Sequence, residues 1–286
     1  MANLKEIRNR ITSIGSTMQI TSAMKMVSAA KLKKAQDAIT AMRPYSSKLT
    51  ELLQSLSATL EADAGGDFSK QREVSNVLLV VVTSNRGLCG GFNSSVIKET
   101  IKNIEDNYQE VSVDLLTIGK KGNDILSKTY PVIEARNDVY DDLTFDNVAE
   151  IAEKLMNLYV GESYDKIEII YNQFKNAATQ IPQVEQFLPI KPVEGDVETN
   201  MDYIFEPGKE EIVLELIPKS LKTQLYKSVR DSFAAEHGAR MTAMHKATDN
   251  AKELRDDLLL TYNKARQAAI TNEILEIVGG AEALKN

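Results

Sequence analysis

Leu4-Lys5-Glu6-Ile7-Arg8-Asn9-Arg10-Ile11-Thr12-Ser13-Ile14 opens a heptad register that can be written without a break for fifty-seven residues. One seam position runs Leu4, Ile11, Met18, Lys25, Leu32, Ile39, Ser46, Leu53, Leu60, and the other Ile7, Ile14, Thr21, Ser28, Ala35, Met42, Leu49, Leu56. Thirteen of these seventeen positions are apolar, well above the 43% hydrophobic average of the chain, which predicts a long helix facing a partner helix. The polar members cluster at Thr21, Lys25 and Ser28. There the stripe is expected to drift onto Ile20, Met24 and Val27, as a 3.6-residue helix does when it is not held to a 3.5-residue repeat. Straight, the segment would be roughly 85 Å long at 1.5 Å per residue. Pro44 is expected to kink or loosen it, because it removes a ladder bond and crowds the preceding turn.

The end of the chain mirrors its start. Ala247, Ala251, Leu254, Leu258, Thr261, Ala265, Ala268, Asn272 and Leu275 follow one another in four- and three-residue steps. Four of them are Ala, so a neighbouring helix can come close. Pro218 suits the first turn of this second helix, where its missing N–H would be unpaired in any case. Gly279-Gly280 weakens its end.

Between the two helical patterns the period changes. Val77 to Val82 is a continuous apolar run that reads as a buried strand. It leads into the loop Thr83-Ser84-Asn85-Arg86-Gly87-Leu88-Cys89-Gly90-Gly91 and then a helix from about Ser94 to Asn107. Further strands are predicted at Val111 to Ile118, Lys166 to Tyr171 and Val184 to Leu188, with helices after Gly122 and over Asn147 to Val160. Alternating strands and helices imply a mostly parallel sheet with crossover helices. The fold class is therefore α/β plus coiled coil, with an α/β domain inserted between long N- and C-terminal helices. The termini of inserted domains usually lie close together, so the helices are expected to pair antiparallel as a two-helix rod. The expected boundaries are 1–60 for the first helix, 74–206 for the α/β domain and 210–286 for the second helix.

Composition narrows the function classes. Residues 1–60 carry nine Lys/Arg against three Asp/Glu, residues 61–218 fourteen against twenty-nine, and residues 219–286 eleven against nine. Basic ends thus flank an acidic middle. No run approaches the roughly 18 apolar residues of a membrane span. The start, Met1-Ala2-Asn3-Leu4-Lys5-Glu6, is not expected to act as a signal or transit peptide. Cys89 is the single cysteine, which rules out an internal disulfide and points to a reducing compartment. His237 and His245 are the only histidines, so a histidine-based metal or catalytic centre is poorly supplied and both read as structural or solvent-facing.

Motifs with chemical potential are weak. Gly87-Leu88-Cys89-Gly90-Gly91 stands where a nucleotide fold would hold phosphate, yet it fits neither dinucleotide nor P-loop spacing and reads better as a tight turn. Gly119-Lys120-Lys121-Gly122 resembles an RNA-clamping turn but follows a strand instead of joining two helices. Asp141-Asp142 and Glu210-Glu211 read as solvated charge. The residues alone favour a mechanical or scaffolding protein without cofactor, metal or catalytic residue. A nucleotide-binding α/β enzyme and a coiled-coil nucleic-acid-binding protein stand as alternatives, the latter opposed by net acidity and few aromatics.

Ile270-Thr271-Asn272-Glu273-Ile274-Leu275-Glu276-Ile277-Val278-Gly279-Gly280-Ala281-Glu282-Ala283 matches the signature of F-type ATP synthase gamma subunits at every fixed position. Ile20-Thr21-Ser22-Ala23-Met24-Lys25-Met26-Val27, Arg86-Gly87-Leu88-Cys89-Gly90-Gly91 and Tyr262-Asn263-Lys264-Ala265-Arg266-Gln267-Ala268 are also similar to that family. The resemblance implies a Rossmann-like foot and a rotor shaft that threads a ring of three alpha and three beta subunits. It also implies that the foot sits with the epsilon subunit on the c ring. ATP would form at alpha–beta interfaces, with no catalytic residue from this chain. By the same resemblance Met24, Lys25, Arg266, Gln267, Thr271 and Glu273 contact the alpha–beta ring, and Tyr203 and Glu206 face the c ring. The lack of a cysteine-bearing insert suggests a bacterial member, peripheral to the cytoplasmic face of the inner membrane and not itself inserted in it.

Overall fold

The computed structural model describes residues 4–57, 66–190 and 209–283. The elements follow the order α1 (Leu4–Ser57), β1 (Asn76–Val82), α2 (Phe92–Asn107), β2 (Ser112–Ile118), α3 (Lys120–Leu126), β3 (Val132–Arg136), α4 (Phe145–Val160), β4 (Lys166–Phe174), β5 (Gln180–Leu188) and α5 (Lys209–Ala283). At 1.5 Å per residue α1 measures about 80 Å and α5 about 110 Å. The chain divides into two compact units, one formed by Ala29–Arg240 and the other by the residues up to Ser28 with those from Met241 onward.

The first unit is built on a five-stranded sheet of order β3-β2-β1-β4-β5. β1 to β4 are mutually parallel, and β5 runs antiparallel to β4 at the edge. β1 is central because Val77 to Val82 are all apolar and all buried, so both of its faces can be covered. Leu78, Val80 and Val82 pack with Ile151, Leu155 and Tyr159 of α4 and with Leu221, Leu225 and Val229 of α5. Val77, Leu79 and Val81 turn the other way, onto Val96, Ile97 and Ile104 of α2. The sheet therefore lies between two helical layers, and part of α5 belongs to one of them.

Two local expectations are corrected here. β3 was not foreseen, because Val-Ile-Glu-Ala-Arg is short, carries two charges in five residues and only alternates half-buried and exposed positions at a sheet edge. Pro218 is not a first-turn residue: α5 starts at Lys209 and continues through it. A helix-interior proline costs about 3 kcal/mol. Here the flanking Ile217, Leu221 and Leu225 are buried against the sheet, and that burial holds the helix through the defect. α1 likewise runs through Pro44 without ending.

In the second unit the start of α1 pairs antiparallel with the stretch of α5 from Met244 to Ala265. The hydroxyls of Thr21 and Thr248 meet at 2.8 Å, and the Arg8 guanidinium lies 6.0 Å from the Tyr262 ring centre. Thirteen residues forward on one helix thus correspond to fourteen backward on the other. The expected drift of the α1 stripe does not occur. Ile7, Thr21 and Ser28 are buried in strict heptad register, whereas Ile20 and Val27 are 60% and 57% exposed. Polar residues are tolerated in this seam because each hydroxyl has a local acceptor: Ser28 Oγ donates to Met24 O at 2.7 Å and Thr21 Oγ1 to Met18 O at 3.1 Å. On α5 the covered line runs Met244, Thr248, Ala251, Arg255, Leu258, Tyr262, Ala265, while Leu254 and Thr261 of the expected seam are exposed. One of the two seam lines is thus displaced by a single residue.

Candidate partner-binding surface

The register of the helix pair determines where the chain stops covering itself. Continued from Thr21–Thr248 and Arg8–Tyr262, it brings Leu4 opposite Ala265, and both are half-buried. Beyond Ala265 the described part of α1 offers no further residue to pair. From Arg266 to Ala281 every residue of α5 is exposed. That stretch is not polar: Ile270, Ile274, Leu275, Ile277 and Val278 all stand open, Leu275 at 63%. A contiguous apolar surface of this kind marks a site that another molecule covers.

The candidate residues fall on this surface unevenly. Arg266, Gln267, Thr271 and Glu273 all lie on the uncovered end of α5 and are exposed. Thr271 Oγ1 donates to Gln267 O at 2.9 Å, an ordinary bond along the helix. Neither Arg266 nor Glu273 has an oppositely charged residue three or four positions away, so helix-surface ion pairing cannot occupy them. Met24 and Lys25 lie about 20 residues of helix before that end begins by the pairing register, and both are half-buried. Their exposed neighbours are Ile20, Met26 and Val27, a second apolar strip outside the seam. Tyr203 and Glu206 lie outside the described residues.

The other place to seek chemistry is the crevice where the sheet reverses its winding, at the carboxyl ends of β1 and β4. In doubly wound folds this crevice receives ligands. Here α5 fills it. Ala235 and Ala239 pack with Cys89 and Phe92 of the loop after β1 and with Phe174 at the end of β4. Gly238 sits so close that a Cβ would stand 3.1 Å from Ala177 Cα and 3.3 Å from Phe174 Cε2. The loop itself is tied inward: Ser84 Oγ donates to Arg86 O at 2.7 Å, and Asn93 Oδ1 accepts from Ser84 N at 3.0 Å. Leu88 and Gly90 adopt left-handed backbone, which confirms the tight turn expected from the glycines.

Arg240 closes this arrangement from α5. Its Nη2 donates to Arg86 O at 2.9 Å and Gly87 O at 3.1 Å, and its Nη1 is paired with the Glu236 carboxylate one helical turn earlier. Both side chains are about nine-tenths buried. Burial pushes the Glu236 carboxyl up, opposed by the adjacent guanidinium, and burial also raises the Cys89 thiol. His237 is 5% exposed, with neither ring nitrogen hydrogen-bonded, and its ring meets Phe233 edge-on at 4.5 Å. Desolvation, with Arg240 and Lys31 nearby, pulls it down to about 3. Its reading as a structural histidine agrees with this packing.

The Glu236–Arg240 pair was missed from sequence. The four-residue spacing among Ala234, Ala235, Gly238 and Ala239 was its only signal. The turn Gly119 to Gly122 also has a packing explanation. A Cβ on Gly119 would stand 2.2 Å from Thr83 O, and Gly122 N donates to Thr83 Oγ1 at 2.8 Å. Among the described residues no helix is long and apolar enough to cross a membrane.

Comparison with known proteins adds a family to this geometry. A family model described as ATP synthase matches residues 3–284. The ATP synthase gamma chain of Flavobacterium psychrophilum is 74% identical over 286 residues, covering all of both chains. A chain of the Tetrahymena thermophila mitochondrial ATP synthase central stalk and c-ring structure is 26% identical with a TM-score of 0.61, over 80% of this chain and 99% of that one. A chain of the Euglena gracilis mitochondrial enzyme shares the fold at TM-score 0.69 and 21% identity, over 98% and 94% of the two chains.

Proposed function

The chain belongs to the ATP synthase gamma-chain family, and on that premise we propose that it is the central rotor shaft of a bacterial F-type ATP synthase. The observation that carries this reading is the uncovered end of α5, where apolar side chains project beyond the described part of α1. A ring of three alpha and three beta subunits is the partner that would enclose such an end on all sides. Arg266, Gln267, Thr271 and Glu273 would then meet the ring near its top, and Met24 and Lys25 lower down. The positive excess in residues 1–60 suits an acidic surface on beta.

The sheet unit is the part that joins epsilon and the c ring, with Tyr203 and Glu206 in the segment facing the ring. Ion flow turns the c ring, and the helix pair carries the rotation to the three catalytic interfaces, each changed in turn. This chain supplies asymmetry and torque and no reacting group. Its boundaries on this reading are 1–60 and 210–286 for the shaft helices and 74–206 for the foot. The assembly stands on the cytoplasmic face of the inner membrane, to which this chain is peripheral.

The test is reconstitution of cognate alpha and beta with and without the chain, following ATP hydrolysis and the rotation of a probe on the sheet unit. Stepwise rotation in thirds of a turn that requires the chain supports the reading. Hydrolysis unchanged by the chain, with no stable assembly, overturns it.

A further inference from the structure

The contact between α5 and the loop after β1 combines three features that ordinary helix packing does not need together. Ala235, Gly238 and Ala239 bring the helix axis close to the sheet edge, and at Gly238 there is no room for a side chain without displacing Ala177. Arg240 then crosses to two successive backbone carbonyls, which are part of the chain and cannot rotate away as side chains do. Glu236 holds the guanidinium in place from the same helix, out of water. An apolar helix face alone slides and rolls at small cost, since dispersion contacts are not directional. A guanidinium fork on fixed carbonyls is directional and charge-assisted, so it resists both motions. Arg240 is also the last residue of the sheet unit, so any twist carried along α5 enters or leaves that unit at this turn.

We propose that Arg240, oriented by Glu236 and seated on the carbonyls of Arg86 and Gly87, is the torsional clamp that makes α5 and the sheet unit turn as one body. The proposal rests on the shaft reading above and adds the residues that transmit the load. Arg240 is a positioning residue: it touches no reacting group, and its effect is mechanical.

The experiment uses the complete chain assembled with alpha and beta, with a bead on the sheet unit, and reads the angular variance of the bead while rotation is stalled without ATP. In the double variant Arg240→Met with Glu236→Met, both charges leave together, so neither is stranded in the interior. With the two charge-assisted bonds gone, the variance is expected to rise at least about twofold. Arg240→Lys, whose single ammonium cannot span both carbonyls, should fall between the double variant and the parent. Thermal melting of the free chain shows whether the double variant folds; if it does not, the Lys variant decides by itself. Parental variance in a folded variant overturns the clamp and leaves the shaft reading intact. A parent complex that never rotates overturns the shaft reading, and the clamp with it.

Discussion

α5 is one uninterrupted helix with two kinds of apolar surface. Between Ile217 and Ala239 its Leu, Val and Ala side chains are buried against the sheet. Between Ile270 and Val278 equally apolar side chains face solvent. The local chemistry of the two stretches is much the same, so hydrophobicity does not say where a helix finds its partner. The first stretch is satisfied inside the chain. The second is left for another molecule, because the described part of α1 covers α5 only as far as Ala265.

That contrast is open to measurement, and the largest effect belongs to the covered stretch. Leu225→Ala removes a fully buried side chain and is expected to cost about 3 kcal/mol in a urea titration of the free chain. A loss below about 1 kcal/mol would mean that this part of α5 is not a core element. Next comes His237. Its folded value of about 3 lies below the ordinary 6.5, so protonation favours the unfolded chain. The stability it holds is present in full above pH 6.5 and is lost as the pH falls toward 3. Between pH 7 and 5 the loss is expected to be about 2 kcal/mol. His237→Phe should flatten that part of the pH profile, and a profile unchanged by the substitution would refute the assignment.

Smaller still is the hydroxyl pair of the helix seam. Thr21→Val leaves Thr248 without its cross-helix partner and should cost about 1 kcal/mol by thermal melting. Adding Thr248→Val should recover most of that loss, and failure to recover would mean the hydroxyls do not act as a pair. Least of all, Leu275→Ala should change the free chain by no more than about 0.5 kcal/mol. In the assembled complex the same substitution should speed dissociation from the alpha–beta ring. If it destabilised the free chain as much as Leu225→Ala, the contrast between the two stretches would fail.

Much of the architecture was legible in sequence because period encodes which face is covered. The seven-residue repeat identified α1, and the unbroken run Val77 to Val82 identified the central strand. What escaped was set by long-range geometry. The position of Thr21 and Ser28 in the seam depends on hydroxyls bonding back to their own helix and, for Thr21, across to Thr248, which composition cannot reveal. β3 gained strand form from its neighbour β2, not from its own pattern. Arg240 looked like one charge among many on a helix, and its partners Arg86 and Gly87 lie more than 150 residues away. Arg266, Gln267, Thr271 and Glu273 were suggested by family likeness, and the structure adds that they stand exposed on the uncovered end of α5.

The end of the pairing at Ala265 also has a mechanical meaning. Up to that point the second unit is a double strut, and past it, among the described residues, α5 continues for about one-quarter of its length without a partner helix. A beam that drops one of two members loses most of its resistance to bending at the step. The strut is therefore stiff along its paired length and pliant at its tip. Such a taper lets the tip bend while the paired part stays straight under load.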